Sequence, residues 1–324
     1  MCMLSVKRKM YSVAIVALSA LTLLGLGQGQ NEIYARDKVT KVAILQYTEH
    51  ESLDRSREGF LDALKEAGYK EGKNLKVEYK NASGDQSDLQ SIAQQLKGKN
   101  DLILDIATPA AQVMLQADKK TPQLFTCVAD PKAAKLLGAK NKPAKNMTGT
   151  SSMPPTKQVV DKLLKEKSDI KTIGVLYDSS EVNAETQYKD VLAYAKSKGI
   201  KVESVTVTSS NDVKQACKTL AKKVDAIYLP ADNTVANTIE TIGKVLKEEK
   251  KASISAFDAA VKGSVCAYGI DYYQLGRQTG QMAVKILKGE KEAKDMPVET
   301  SKKLVLKVNK EMAKAVGVDL GKLK

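Results

Sequence analysis

A chain of 324 residues with 43% hydrophobic content is long enough for two ordinary domains, each with its own core. Its charge is lopsided, 52 Lys+Arg against 38 Asp+Glu for a net +14, yet only Arg8, Arg36, Arg55, Arg57 and Arg277 are arginines. Readers of nucleic acid favour the two-point Arg fork, whereas the lysines here alternate with acids in stretches such as "VLKEEKK" and "LKGEKEAKD". That pattern is a solvated basic surface, and no nucleic-acid partner is expected.

In chain order, the first element is a targeting segment. "VKRKM" supplies positive charge, "YSVAIVALSALTLLGLG" an apolar core of 17 residues, and "IYA" a small-residue cleavage site ending at Ala35. The core sits at the short edge of the ~17–25 residues that span a bilayer. Residues 1–35 therefore read as a signal peptide, and the protein is expected outside the cytoplasm, in the periplasm or on the outer face of the cytoplasmic membrane. Cys127, Cys217 and Cys266 then remain, an odd number without metal spacing, and default to buried free thiols.

From Lys41 onward the chain states one pattern twice. "KVAILQY" (41–47) is a strand, followed by the polar "TEHESLD", the amphipathic "REGFLDALKEAGY", the strand-like "LKVEYKNAS", the helical "DLQSIAQQLKGKN" and then "DLILDIATPAAQ" (101–112). The second half replays it with "KTIGVLYD" (171–178), "SSEVNAE", "TQYKDVLAYAKSKGI", "KVESVTVTSS", "DVKQACKTLAKK" and "VDAIYLPADNTVANTI" (224–239). Gly68 and Gly199 close the two equivalent helices. Strands alternating with helices of this length make βαβ units and parallel sheets. The expected fold class is α/β, with two similar lobes, divided near "NMTGTSSMPPTKQ" (146–158). The helix "YYQLGRQTGQMAVKILKGE" (272–290) has small residues on one side and Leu, Met, Val and Ile on the other. Its lobe is not given by pattern alone.

Open α/β sheets bind ligands outside the carboxyl ends of their strands. Six loops belong there: "QYTEHES", "IATPAAQ", "CVADP", "YDSSEVN", "LPADNTV" and "AFDAAV". A helix opening at Thr108-Pro109, with only Ala110 and Ala111 behind, would point free N–H groups at an anion. Thr108 also suits a plain cap, which is the commoner role, so this motif alone is a weak signal. Asp232 and Asn233 stand at the matching strand end of the second half. Donors for a carboxylate and an acid for an ammonium are what an α-amino acid requires, and Asp258 is a second candidate for the ammonium. Asp130 is equally a site residue or a turn former. Tyr47 is placed to stack on an apolar ligand side chain. The Glu49-His50 pair is ambiguous, with His50 favoured as a helix-start or lobe-contact residue. One histidine leaves a catalytic triad or a zinc site hard to assemble. Phosphate-binding glycine loops and the G-x-S-x-G elbow are missing from the sequence. Two strand-end acids can still meet in glycosidic fashion, but a binder is preferred to an enzyme, and no metal or cofactor is expected.

The motifs "EHESLDRSREGF", "DLILDIATPAAQ", "VADP", "NMTGTS", "IGVLYDSSEVN", "VDAIYLPADNTV" and "GIDYYQLGRQTGQMAVKILKGE" resemble those of the tryptophan/tyrosine-type substrate-binding proteins of ABC transporters, in order, from about Lys41 to Val318. The resemblance implies a type I periplasmic-binding fold, an α/β architecture of two Rossmann-like lobes with parallel sheets joined by a three-crossing hinge. With it the division becomes 36–150 plus 270–296 for the N-terminal lobe and 151–269 plus 297–324 for the C-terminal lobe. It also implies Thr108 and the amides near Ala110 against a ligand carboxylate, Glu181 and Asn183 as cleft residues, Asp232 and Asn233 beside them, and Asp258 for the ammonium. A monomer that hands an aromatic amino acid to an ABC permease follows from the same likeness. Two departures stand out: "LLGLGQGQ" lacks a lipobox cysteine, and Ala184 follows Asn183 where a small hydroxyl residue is expected. A sugar or autoinducer receptor of the same fold is the alternative, disfavoured by an absence of Trp and only three Phe. A two-lobe transcription regulator would need a helix-turn-helix where the signal peptide stands.

Overall fold

The computed structural model describes residues 39–323 apart from 139–141, 145 and 302; the expected signal peptide lies outside them. The first run comprises β1 (Thr40–Gln46), α1 (Glu51–Glu66), β2 (Leu75–Asn81), α2 (Gln86–Leu96), β3 (Leu102–Ile106), α3 (Thr108–Ala117), β4 (Gln123–Val128) and β5 (Met147–Ser151). The second opens with α4 (Thr156–Glu166), β6 (Thr172–Asp178), α5 (Val182–Ser197), β7 (Lys201–Val207) and α6 (Val213–Ala221). It continues through β8 (Ala226–Leu229), α7 (Asn233–Asn237), α8 (Ile239–Glu248), β9 (Ala252–Phe257) and β10 (Cys266–Ile270). The tail holds α9 (Tyr272–Leu287), β11 (Glu299–Thr300), β12 (Leu304–Val308) and α10 (Lys310–Val316).

Two six-stranded sheets result, in the orders β11-β5-β4-β3-β1-β2 and β12-β10-β9-β8-β6-β7. Every pairing is parallel except β10 with β12. The two lobes thus share one strand order, as the repeated sequence pattern requires. Central strands covered on both faces are near-continuously apolar, as in β8 with Ala226, Ile227, Tyr228 and Leu229 all buried. Asp105 is the exception in β3: both carboxylate oxygens are buried without a hydrogen-bond partner among the described residues. After α1 and α5 the chain reverses through Gly68 and Gly199, whose φ of 96° and 73° a side chain would resist.

The tail decides how the lobes are connected. α9 lies along α1, and the small face noted in the sequence is the reason it fits. A Cβ on Gly276 would overlap the Ser56 carbonyl, and one on Gly59 the Tyr273 carbonyl. Tyr273 Oη donates to Asp62 at 2.8 Å and Arg277 pairs with Glu66 at 2.5 Å along the same seam. α9 therefore belongs to the first lobe. β11 joins that lobe beside β5, and β12 returns to the second sheet. The chain crosses three times: between Ser151 and Thr156, at Asp271, and between Thr300 and Leu304. The pairing of Glu299 and Thr300 with β5 sets the last crossing after Thr300, later than the expected boundary at 297. Asp271 ties two crossings together, its N–H donating to Lys303 O at 3.2 Å and its carboxylate meeting Lys303 Nζ at 3.4 Å.

Candidate functional site

The carboxyl ends of the two sheets face one cleft, drawn together until its cavity is only about 20 Å3. A cavity of that size has room for about one water molecule, so the two walls nearly touch. The first lobe lines it with His50, Ser52 and Leu53 at the start of α1 and Cys127 in β4. The second lobe contributes Asn183, Asp232, Asn233 and Phe257, and the crossings add Ser152 and Tyr272.

The second wall is acidic. Asp178, Glu181 and Asp232 are buried, and among the described residues no Lys or Arg pairs with any of them. Backbone and side-chain donors hold them instead. Asp232 caps α7 through the Val235 N–H (2.8 Å) and accepts the Asp178 N–H at 2.7 Å. Asp178 accepts from Ser180 Oγ at 2.6 Å and from Thr234 Oγ1 at 2.8 Å. Glu181 gathers the Asn183 and Asn233 amides, each at 2.8 Å. Burial pushes the Glu181 and Asp232 carboxyls above the usual range, and repulsion from Glu181 adds to the shift of Asp232. The Asn183 Oδ1 acceptor is left buried and without a partner among the described residues. Tyr47 faces this wall: burial first, then Glu181, Asp178 and Asp232, raise its phenol to about 12.

The first wall offers donors. α1 is a 16-residue helix whose cap position, His50, makes no capping bond. The Ser52 hydroxyl is buried without a partner among the described residues. His50 Nε2 meets Asn233 Oδ1 across the cleft at 3.2 Å, and burial lowers the imidazole pKa, which keeps the ring neutral. Two more contacts cross there, Asn237 Nδ2 to Thr48 Oγ1 at 3.1 Å and Lys262 Nζ to Glu51 at 2.5 Å.

The residues expected from sequence are distributed as follows. Asn183, Asp232 and Asn233 line the cleft, and Glu181 stands behind them, accepting from both asparagine amides. Tyr47 anchors its hydroxyl on Gly84 O at 3.0 Å. Thr108 and Ala110 are buried at the start of α3 and are outside the cleft lining, with Ala107 as the cap at φ 85°. Glu49 is exposed and accepts from Tyr79 Oη at 3.0 Å. Asp130 forms a turn, its carboxylate accepting the Lys132 and Ala133 N–H groups at 2.9 and 3.0 Å. Asp258, also outside the lining, takes Lys307 Nζ at 2.8 Å. Ser52, Cys127 and Phe257 line the cleft beyond the site residues expected from sequence, and all three fall in strand-end loops that the pattern marks. Tyr272, at the far end of a crossing, had no sequence signal. Among the described residues no cluster of three or more His, Cys, Asp or Glu could hold a metal ion.

Two alike lobes, a three-crossing hinge and a cleft with donors on one wall and acceptors on the other define a hinged ligand-binding protein of the periplasmic-binding class. The chain belongs to the ABC transporter substrate binding protein family, whose model matches residues 41–322. It is 35% identical to a tyrosine-binding protein of Clostridioides difficile over 319 residues, 95% of this chain and 91% of that one. A Streptococcus pneumonia domain solved with L-Trp is 36% identical with a TM-score of 0.82, covering 87% of this chain and 95% of its own. A ligand-free, open substrate-binding protein with adhesive properties from Clostridium difficile is 40% identical, covers 87% and 96%, and scores 0.68. A sugar transporter subunit from Rhodobacter sphaeroides, 12% identical at 0.59 over 84% and 99%, shares the fold alone. At similar identity the whole chain superposes better on the L-Trp complex than on the open structure. The three cross-cleft contacts agree: the lobes are closed.

Proposed function

We propose that this chain is the exported component of an ABC importer that captures one free amino acid with an aromatic side chain and delivers it to a membrane permease. The opposed polarity of the cleft walls carries the reading. A carboxylate suits the donor wall of α1, an ammonium suits the acid-rich wall around Asn183 and Asp232, and Phe257 and Tyr272 offer aromatic surface between them. The tyrosine and tryptophan named for the relatives belong to that ligand class. The protein works as a monomer without bond chemistry or cofactor. Ligand bridges both walls, gains contacts present only on closure, and shifts the population toward the closed form that the permease recognises. The basic and apolar leader of residues 1–35 supports export.

Melting against the twenty amino acids and a panel of sugars tests this. A ligand at one hundred times its Kd adds about 2.7 kcal/mol, a shift of several degrees. The expected outcome is a shift with Trp, Tyr or Phe. A shift with sugars only would replace the ligand class and leave the fold untouched.

A further inference from the structure

We propose that the first turn of α1 holds the carboxylate of the bound amino acid, with the Ser52 hydroxyl and the free N–H groups of that turn as donors. This deepens the amino-acid reading and rests on it. α1 has 16 residues and its start opens on the cleft through His50, Ser52 and Leu53. The first hydrogen bond of the helix runs from the Asp54 N–H to His50 O at 3.1 Å. The N–H groups of Glu51, Ser52 and Leu53 precede it and have no acceptor within the helix. A helix start of this kind carries about half a positive charge and binds anions. A capping side chain would normally cover it, and His50 does not.

Ser52 is the independent observation. Its residue is 1% exposed, it lines the cleft, and its hydroxyl has no hydrogen-bond partner among the described residues. Native structures rarely leave a buried hydroxyl unpaired, and such a group calls for an explanation. A carboxylate oxygen seated on the helix start supplies one. The two acids of the first turn do not repel that anion unopposed, because Glu51 is paired with Lys262 at 2.5 Å and Asp54 with Arg57 at 3.1 Å. Across the cleft, the unpartnered Asn183 Oδ1 is an acceptor, as the ammonium end of the same ligand needs. The start of α3 has no comparable standing: Thr108 also lacks a side-chain partner among the described residues, but it is outside the cleft lining.

The test is calorimetric titration of the protein and its Ser52→Ala variant with L-tryptophan and L-tyrosine, and with tryptamine and tyramine, which lack the carboxylate. Ser52→Ala is expected to lose about tenfold or more in affinity for the amino acids, the size of a hydrogen bond to a charged group, and nothing for the amines. Without ligand it should melt at the wild-type temperature or above it, since the unpaired hydroxyl is gone; a merely structural serine would lower it. Equal losses for amino acids and amines would overturn the proposal, as would unchanged binding in Ser52→Ala or a loss confined to Thr108→Val. Wild-type protein that binds sugars and no amino acid would overturn the ligand class itself, and this proposal with it.

Discussion

Outside the cleft, Glu166 shows how a single buried acid couples this fold to pH. It closes α4 in the second lobe, only 4% exposed, where its Oε1 accepts the Cys266 thiol at 2.5 Å and its Oε2 has no partner among the described residues. Burial pushes its carboxyl from 4.5 to about 8. The folded state therefore binds the proton more tightly than the unfolded chain does. Stability from the neutral acid is fully present below about pH 4.5 and is lost as pH rises, at about 1.4 kcal/mol per unit, until it levels off near pH 8. Glu166→Gln removes this titration. The variant should gain on wild type steadily from pH 4.5 to 8 in chemical denaturation, and a pH-independent difference would show that the carboxyl is not held neutral. None of this is legible in "DKLLKEKSD", which reads as an ordinary amphipathic helix end. Ser52 was hidden for the same reason, since a partner or its absence is a property of the tertiary structure. Thr108 shows the converse: its local pattern is that of an anion-binding helix start, and only the packed structure sets it apart from the cleft.

At the scale of elements the local pattern served far better. Hydrophobic periodicity and the glycine stops are short-range signals, so both strand–helix runs and their repeated order were legible. The small face of α9 was legible too, but a stripe of small residues does not name the helix that will lie against it. The structure supplies α1, and with it a prediction. Gly276→Ala forces a Cβ against the Ser56 carbonyl, so α1 must shift or part from α9. Overpacking of this kind costs about 1–3 kcal/mol. Because the first turn of α1 carries His50 and Ser52 into the cleft, ligand affinity should fall together with the melting temperature. Gln281→Ala, exposed on the same helix, should change neither. A variant that lost stability yet bound ligand as before would show that the seam does not position the cleft.

For the whole molecule the question is what holds the lobes shut. Thr48–Asn237, His50–Asn233 and Glu51–Lys262 all sit along one rim, between the loop after β1 and the segments after β8 and β9. The ion pair is the component easiest to isolate, because it is partly exposed and its loss leaves no buried charge. Exposed pairs contribute about 0.2–1 kcal/mol, so Glu51→Ala should move the open–closed equilibrium by a factor of about five at most. That small shift should raise the ligand Kd by the same factor, chiefly through faster dissociation. Cys127 supplies an independent readout from inside the cleft. Its thiol is pushed up to about 12 by burial, which makes it a poor nucleophile while the lobes are closed. Alkylation of Cys127 should therefore report opening, proceeding faster in Glu51→Ala and slowing when ligand saturates the site. Exchanging the charges in a Glu51→Lys, Lys262→Glu double variant should restore the wild-type rate, and high salt should erase the differences by screening the pair. If alkylation and affinity ignore the ion pair altogether, the His50 and Thr48 contacts are sufficient to latch the rim, and the lone histidine becomes the residue whose removal should open the clamp.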